Sequence, residues 1–341
     1  ERAVNKQQQR ILVVGPAWVG DMVMAQSLFM TLKQRSPDVT VDVLAPDWSL
    51  PLLSRMPEVN EAIALPVSHG ELALGKRFQI GRQLGNRGYS QAIVIPRSYK
   101  AALVPFFAKV PVRTGYRGEM RYGLINDMHV LDKKVLTQTV QRQVALGLPE
   151  NAELPPAIPF PKLDIDEHNQ KRLLAELELN LERPIVGMMP GAEYGPAKQW
   201  PVSSYQDLAG NLVANGYQVW VFGSEKERVI GEQIASAGNA VTNLCGATQL
   251  EDVIDLIFLC DSVVSNDSGL MHVACATGRK VIAIYGSSSP AYTPPLSKNA
   301  EVIYRYLECS PCFKRTCPLG HTNCLTDIES ETIFTAIKEA G

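Results

Sequence analysis

Three short stretches carry side chains whose types and spacing could do chemistry. In GPAWVGDMVMAQSL (15–28) an apolar strand-like run ends at Gly15, and Asp21 follows Gly20 where a helix begins. A carboxylate there ordinarily complements the helix dipole. Gly20 leaves this one unshielded, and Trp18 and Val19 supply an apolar rim. Desolvation raises a carboxyl pKa toward general-base values, while the helix N-terminus pulls it down. In SNDSGLMHVA (265–274) Asp267, Ser268, Gly269, Leu270 and His272 fall between a strand and a helix. Ser268 suits an N-cap, Gly269 admits a ligand to the backbone, and first-turn amides suit a diphosphate. An ordinary capped turn beside a core histidine is the competing reading. In PGAEYGPAKQW (190–200) a rigid Gly-Pro loop leads to Lys198, either a point charge for a leaving phosphate or a surface lysine beside a packed Trp200. Glu225, in VFGSEKER (221–228), sits where an acid can hold a ribose diol or merely stabilise its own helix.

Two further clusters need an account. Residues 97–142 hold nine Lys/Arg against three Asp/Glu, with Arg97, Lys100, Arg113, Arg117 and Arg121 interleaved with tyrosines. Guanidinium forks suit phosphate and carboxylate, and aromatic faces suit sugar rings. No nucleic-acid recognition motif accompanies the patch, and a solvated basic face is the plain alternative. CSPCFKRTCPLGHTNC (309–324) places Cys309, Cys312, Cys317 and Cys324 at C-x2-C-x4-C-x6-C around His321. Tetrahedral zinc, packed free thiols and disulfides are all compatible with this spacing, disulfides least so in a reducing compartment. Cys245, Cys260 and Cys275 lie in apolar stretches and read as buried small hydrophobes.

The elements that must position these residues follow from periodicity. Apolar strands at 10–15, 41–46, 61–66 and 91–96 alternate with helices near 21–35 and 71–86. A proline-rich stretch, 146–164, reads as a linker. The pattern restarts with strands near 183–192, 217–224, 262–267 and 280–286 and helices at 205–216, 250–261 and 269–278. Such alternation argues parallel sheets covered on both faces, hence an α/β chain of two doubly wound, Rossmann-like domains. The expected bounds are 10–155 and 156–328, with a cleft facing the carboxyl ends of the strands. A terminal helix within 329–341 is open to packing back toward the first domain. The chain has 341 residues and a net charge of −2, which gives no global call for nucleic acid. It lacks an apolar run of membrane-spanning length and opens on a polar stretch without the apolar centre of a secretory signal, so a cytoplasmic protein is the default.

Taken in order, GPAWVGDMVMAQSL, LLSRMPEVNEA, ALVPFFAKVPVRTGYRGEMRYGL, PGAEYGPAKQWP and NDSGLMHVA resemble the bacterial lipopolysaccharide heptosyltransferases of glycosyltransferase family 9. The resemblance runs from Ile11 onward. It implies a GT-B fold and inverting transfer of heptose from ADP-L-glycero-β-D-manno-heptose, with no cofactor in the chemistry. It implies Asp21 as the base, with Lys198 supporting the leaving group. The donor would be held by Gly191, Ala192, Lys198, Glu225, Asp267, Ser268, Gly269, Leu270 and His272. The acceptor, heptosylated Kdo2-lipid A, would be gripped by Arg97, Lys100, Arg113, Arg117 and Arg121. Work on a lipid-linked acceptor implies peripheral contact with the cytoplasmic face of the inner membrane. The rival readings are transfer of the first or third heptose, a nucleotide-sugar epimerase and a non-catalytic nucleotide-sugar sensor. A dinucleotide-dependent dehydrogenase would need the G-x-G-x-x-G that neither glycine loop supplies.

Overall fold

The computed structural model describes residues 9–67 and 70–339. The chain divides into two compact units, Glu1–Pro159 and Phe160–Gly341, with the division inside the expected linker. In the first unit β1 (Arg10–Val14), β2 (Thr40–Ala45), β3 (Glu61–Ala64), β4 (Gln91–Val94), β5 (Val112–Tyr116) and β6 (Asp127–His129) form a parallel sheet in the order β3-β2-β1-β4-β5-β6. In the second, β7 (Ile185–Met189), β8 (Gln218–Val221), β9 (Val241–Asn243), β10 (Ser262–Asn266), β11 (Lys280–Tyr285) and β12 (Ala300–Tyr304) form another, in the order β12-β11-β10-β7-β8-β9. Each sheet starts in its middle and winds outward in two directions. The doubly wound α/β expectation holds in both units.

This order creates a switch point in each sheet, where chains leaving neighbouring strands turn to opposite faces and open a crevice above the strand ends. The switch lies between β1 and β4 in the first unit and between β7 and β10 in the second. The loops carrying Asp21, Arg97, Lys198 and Asp267 all leave these four strands at their carboxyl ends.

The cores follow from sequence pattern. β7 is apolar along its length, β1 is apolar from Ile11 to Val14, and β10 is wholly buried although Ser262, Ser265 and Asn266 flank its two valines, the burial expected of central parallel strands covered on both faces. The helix Val19–Arg35 buries Met22, Ala25, Leu28, Phe29 and Leu32 at helical spacing. Each of the four larger side chains contributes roughly 1.5–3 kcal/mol on leaving water. The terminal helix, Ser330–Lys338, places Ile333, Phe334 and Ile337 in one core with Trp200, Tyr205 and Leu208 of the second unit. Residues 340 and 341 of that segment lie outside the described residues.

Candidate functional site

The second unit's site is built on Asn266, the last residue of β10. It is wholly buried, and both ends of its amide are used. Its Oδ1 accepts from the Trp200 backbone amide and the Tyr205 hydroxyl, each at 3.0 Å, and its Nδ2 donates to the Pro190 carbonyl at 2.8 Å. One side chain therefore ties the end of β10 to both ends of the loop after β7. Trp200 anchors that loop from below: it is fully buried, and its indole N–H donates to the Ile328 carbonyl at 2.9 Å. Asn266 was not singled out from sequence, because a buried amide hub has no spacing signature.

On this frame Lys198 Nζ meets Asp267 Oδ2 at 2.7 Å, with the side chains 19% and 4% exposed. Ser268 stands at the N-cap position of the helix Gly269–Ala276 with an extended backbone, but makes no side-chain cap bond. Its hydroxyl lies 3.4 Å from that of Ser265 instead. The capping role expected for Ser268 is therefore not taken, and its side chain leaves the first-turn amides to other acceptors. Such a turn, with the helix dipole behind it and a lysine beside it, is suited to an anion.

His272 follows one turn into the same helix. It is 5% exposed, and its Nδ1 is buried without a hydrogen-bond partner. Burial pushes its pKa down to about 4, with the Lys198 charge acting in the same direction and Asp267 opposing. It is a neutral imidazole at physiological pH. The folded value lies below the unfolded value of about 6.5, so the stabilisation is complete above pH 6.5 and is lost as pH falls toward 4. Between pH 7 and pH 4 the wild type is expected to lose roughly 3 kcal/mol more unfolding free energy than His272→Gln. Parallel loss in denaturant titrations of the two proteins would clear His272 of this role.

The neighbouring loop after β8 is closed by Glu227, another residue that sequence reasoning passed over. Its carboxylate accepts from the Ser224 backbone N–H at 2.7 Å. A Cβ on Gly223 would sit 2.9 Å from Glu227 Cβ and one on Gly191 3.0 Å from its Cγ, so the loops after β7 and β8 close tightly around this side chain. Ala192 is buried in the same loop. Glu225 is exposed and forms a two-pronged pair with Arg228 at 2.6–2.7 Å, which pulls its carboxyl pKa down.

In the first unit, Trp18 is the extended N-cap residue of the helix Val19–Arg35, and Asp21 lies in its first turn. Asp21 is half-buried. Its carbonyl accepts from Gln143 Nε2 at 3.1 Å, so the buried Gln143 fixes the turn that presents the carboxylate. Gly15, directly after β1, packs against the tip of Met22, whose Cε would lie 2.6 Å from a Cβ there.

A family model for glycosyltransferase family 9 (heptosyltransferase) matches residues 77–323. The chain belongs to this family. It is 47% identical to lipopolysaccharide heptosyltransferase 2 of Salmonella typhimurium over 335 residues, covering 95% of this chain and 96% of that one. It is 45% identical to lipooligosaccharide heptosyltransferase 2 of Haemophilus ducreyi over 308 residues, 86% of this chain and 88% of that one. A solved structure, the ADP-heptose lipopolysaccharide heptosyltransferase II of Escherichia coli, aligns with a TM-score of 0.84 and 42% identity, covering 97% of this chain and 98% of that one. Membership makes the chain a glycosyltransferase, against the epimerase, dehydrogenase and sensor alternatives.

The heptosyltransferase's basic stretch divides into two groups. Arg121 is 1% exposed; its guanidinium donates to the carbonyls of Pro96, Ser98 and Tyr116, and burial lowers its pKa. Arg113 donates to the carbonyls of Val110, Gly123 and Leu124. The expectation that these two grip an acceptor is corrected: apart from Arg121 Nε, which is buried without a partner, their donating groups bind backbone and hold the loops after β4 and β5. Basic residues in an irregular segment look alike in sequence whichever way they turn. Arg97 and Arg117 are exposed and adjacent, with Arg97 Nε donating to the Arg117 carbonyl at 3.2 Å, while Lys100 is half-buried on the following turn.

The heptosyltransferase's seven cysteines are all free thiols, with Cys245, Cys260 and Cys275 buried as expected. Cys309, Cys312, Cys317 and Cys324 line one cavity with Ala197, Ser287 and His321. The backbone amides of Thr322, Leu319, Gly320 and His321 draw the Cys317 pKa down. Among the described residues, no three or more His, Cys, Asp or Glu side chains are arranged as a set that could hold a metal ion.

Proposed function

We propose that this heptosyltransferase transfers L-glycero-D-manno-heptose from ADP-L-glycero-β-D-manno-heptose to the heptosyl-Kdo2-lipid A inner core, with inversion at the anomeric carbon. The observation that carries the reading is 47% identity across 95% of the chain to a lipopolysaccharide heptosyltransferase 2. The Lys198–Asp267 pair beside an uncapped helix start supports it, because it supplies the setting a departing diphosphate needs.

In this reading Asp21 takes the acceptor hydroxyl proton as the oxygen attacks the anomeric carbon from the face opposite ADP. Negative charge grows on the β-phosphate as the glycosidic bond breaks. Lys198 and the amides of Gly269 and Leu270 stabilise that charge, while Gly191 and Ala192 bound the donor loop. Glu225 takes the ribose and His272, as a neutral imidazole, takes a hydrogen bond from or gives one to the donor. Arg97, Lys100 and Arg117 receive the anionic core sugars. The charge stabilisation comes from side chains and amides, and the transfer is assigned no cofactor. A structural zinc at Cys309, Cys312, Cys317 and Cys324 would serve the loop and not the reaction. The thiolate chemistry suits zinc, but the four sulfurs would have to draw together to hold it. About one zinc per purified chain would support that assignment, and metal-free protein with reactive thiols would retire it.

The lipid-linked acceptor places the enzyme at the cytoplasmic face of the inner membrane in this reading. Among the described residues no helix is long and apolar enough to cross a membrane. The test is ADP release from purified donor. It should be slow with donor alone and rise on adding heptosyl-Kdo2-lipid A. Release that is indifferent to this acceptor would contradict the substrate assignment.

A further inference from the structure

We propose that Arg315, carried by the cysteine-rich loop, is a further ligand of the donor's diphosphate, acting beside Lys198. The inference rests on the donor-site reading above and extends it to a segment that the motifs of that site do not include. Tyr194 is the meeting point. Its ring has Lys198 Nζ at 5.1 Å and Arg315 Cζ at 5.3 Å from the centroid. Two cations thus share one aromatic platform on the loop after β7. Lys198 is neutralised by Asp267 at 2.7 Å. Arg315 is exposed, and among the described residues no carboxylate lies within ion-pair distance of it. A guanidinium held next to an ammonium without an acid of its own is a site in want of an anion.

The placement is built and not incidental. The Ala197 amide donates to the Arg315 carbonyl at 3.0 Å, and the Tyr194 hydroxyl donates to the Phe313 carbonyl at 2.8 Å. The Phe313 amide donates in turn to the Ser287 carbonyl at 2.7 Å, and the Ser287 amide to the Ala197 carbonyl at 3.3 Å. Residues 313–315 are therefore stitched to the loop that carries Lys198. Gly195, with φ +152°, lets the two strands of chain meet, since a Cβ there would sit 2.6 Å from the Arg315 carbonyl oxygen. The four cysteines line the cavity on which this loop is folded, together with Ala197. Their role follows: they shape the loop that delivers Arg315.

Stacking of Arg315 on Tyr194 for stability alone is the alternative, and it predicts different binding. The test is affinity of the full chain for ADP and for adenosine, wild type against Arg315→Ala and Arg315→Lys. If Arg315 contacts the diphosphate, Arg315→Ala weakens ADP binding by about tenfold or more and leaves adenosine binding unchanged. Arg315→Lys recovers part of the loss, as a point charge without the fork. ADP affinity within about threefold of wild type overturns the proposal. Parallel loss of ADP and adenosine affinity also overturns it, because that is the signature of a displaced loop. A wild-type chain that binds no ADP would sink the donor-site reading itself, which separates the two failures.

Discussion

Asp21→Asn is expected to lower turnover by roughly 10²–10⁴ while affinity for ADP-heptose stays within a few fold of wild type. The asparagine keeps the size of the side chain and the turn that Gln143 holds through the Asp21 carbonyl. It removes only the oxygen that can take a proton. The residue lies in the unit that carries Arg97 and Arg117, and not in the unit that carries Lys198 and Asp267, so donor binding has no reason to change. Initial rates at saturating acceptor, with donor affinity measured separately by ADP-heptose binding, give the two numbers. Equal turnover in the two proteins would remove Asp21 from the reaction.

Lys198→Ala should damage both terms. The lysine neutralises Asp267, which is 4% exposed, and its loss leaves a buried carboxylate facing the incoming diphosphate. Donor affinity is expected to fall by at least about tenfold and turnover by about 10²–10³. Removing one partner of a buried pair also costs roughly 3 kcal/mol of stability. A second substitution separates the effects: in Lys198→Ala/Asp267→Asn the stability returns and the repulsion is gone, but the leaving group remains unassisted. Turnover that recovers fully in the double variant would show that Lys198 serves only to balance Asp267. Thermal denaturation and ADP-release rates of both variants supply the comparison.

Much of the fold was legible in sequence where apolar strands are central. β1, β2, β4, β7, β8, β10 and β11 are built on apolar residues, interrupted by Asp42 in β2 and by serines in β10, and each lies where periodicity put it. The strands β5, β6, β9 and β12 were not foreseen. Their residues, as in VRTGY and DMH, are partly exposed and mix charge with apolar side chains, so neither period shows. The helix Glu167–Glu176, just past the linker, was not foreseen. It is announced only by Asp166, whose carboxylate caps the His168 and Asn169 amides. The candidate site was legible in its loops and not in its supports. Asp21, Lys198, Asp267 and His272 carry motif-like spacing. Asn266, Glu227 and Gln143 act through contacts made across 61 to 122 residues or through a close approach to glycines, which no local pattern records. Arg121 and Arg113 mark the opposite failure, since charge at a given spacing says nothing about which way a guanidinium turns.

The most direct measurement is the pH dependence of kcat/KM for the donor–acceptor reaction in wild type and in Asp21→Asn. If the Asp21 carboxylate takes the acceptor proton, the wild-type rate falls with acid along a limb of one ionisation, and that limb is absent from the residual activity of Asp21→Asn. A variant that keeps the same acid limb would show that another group is the base.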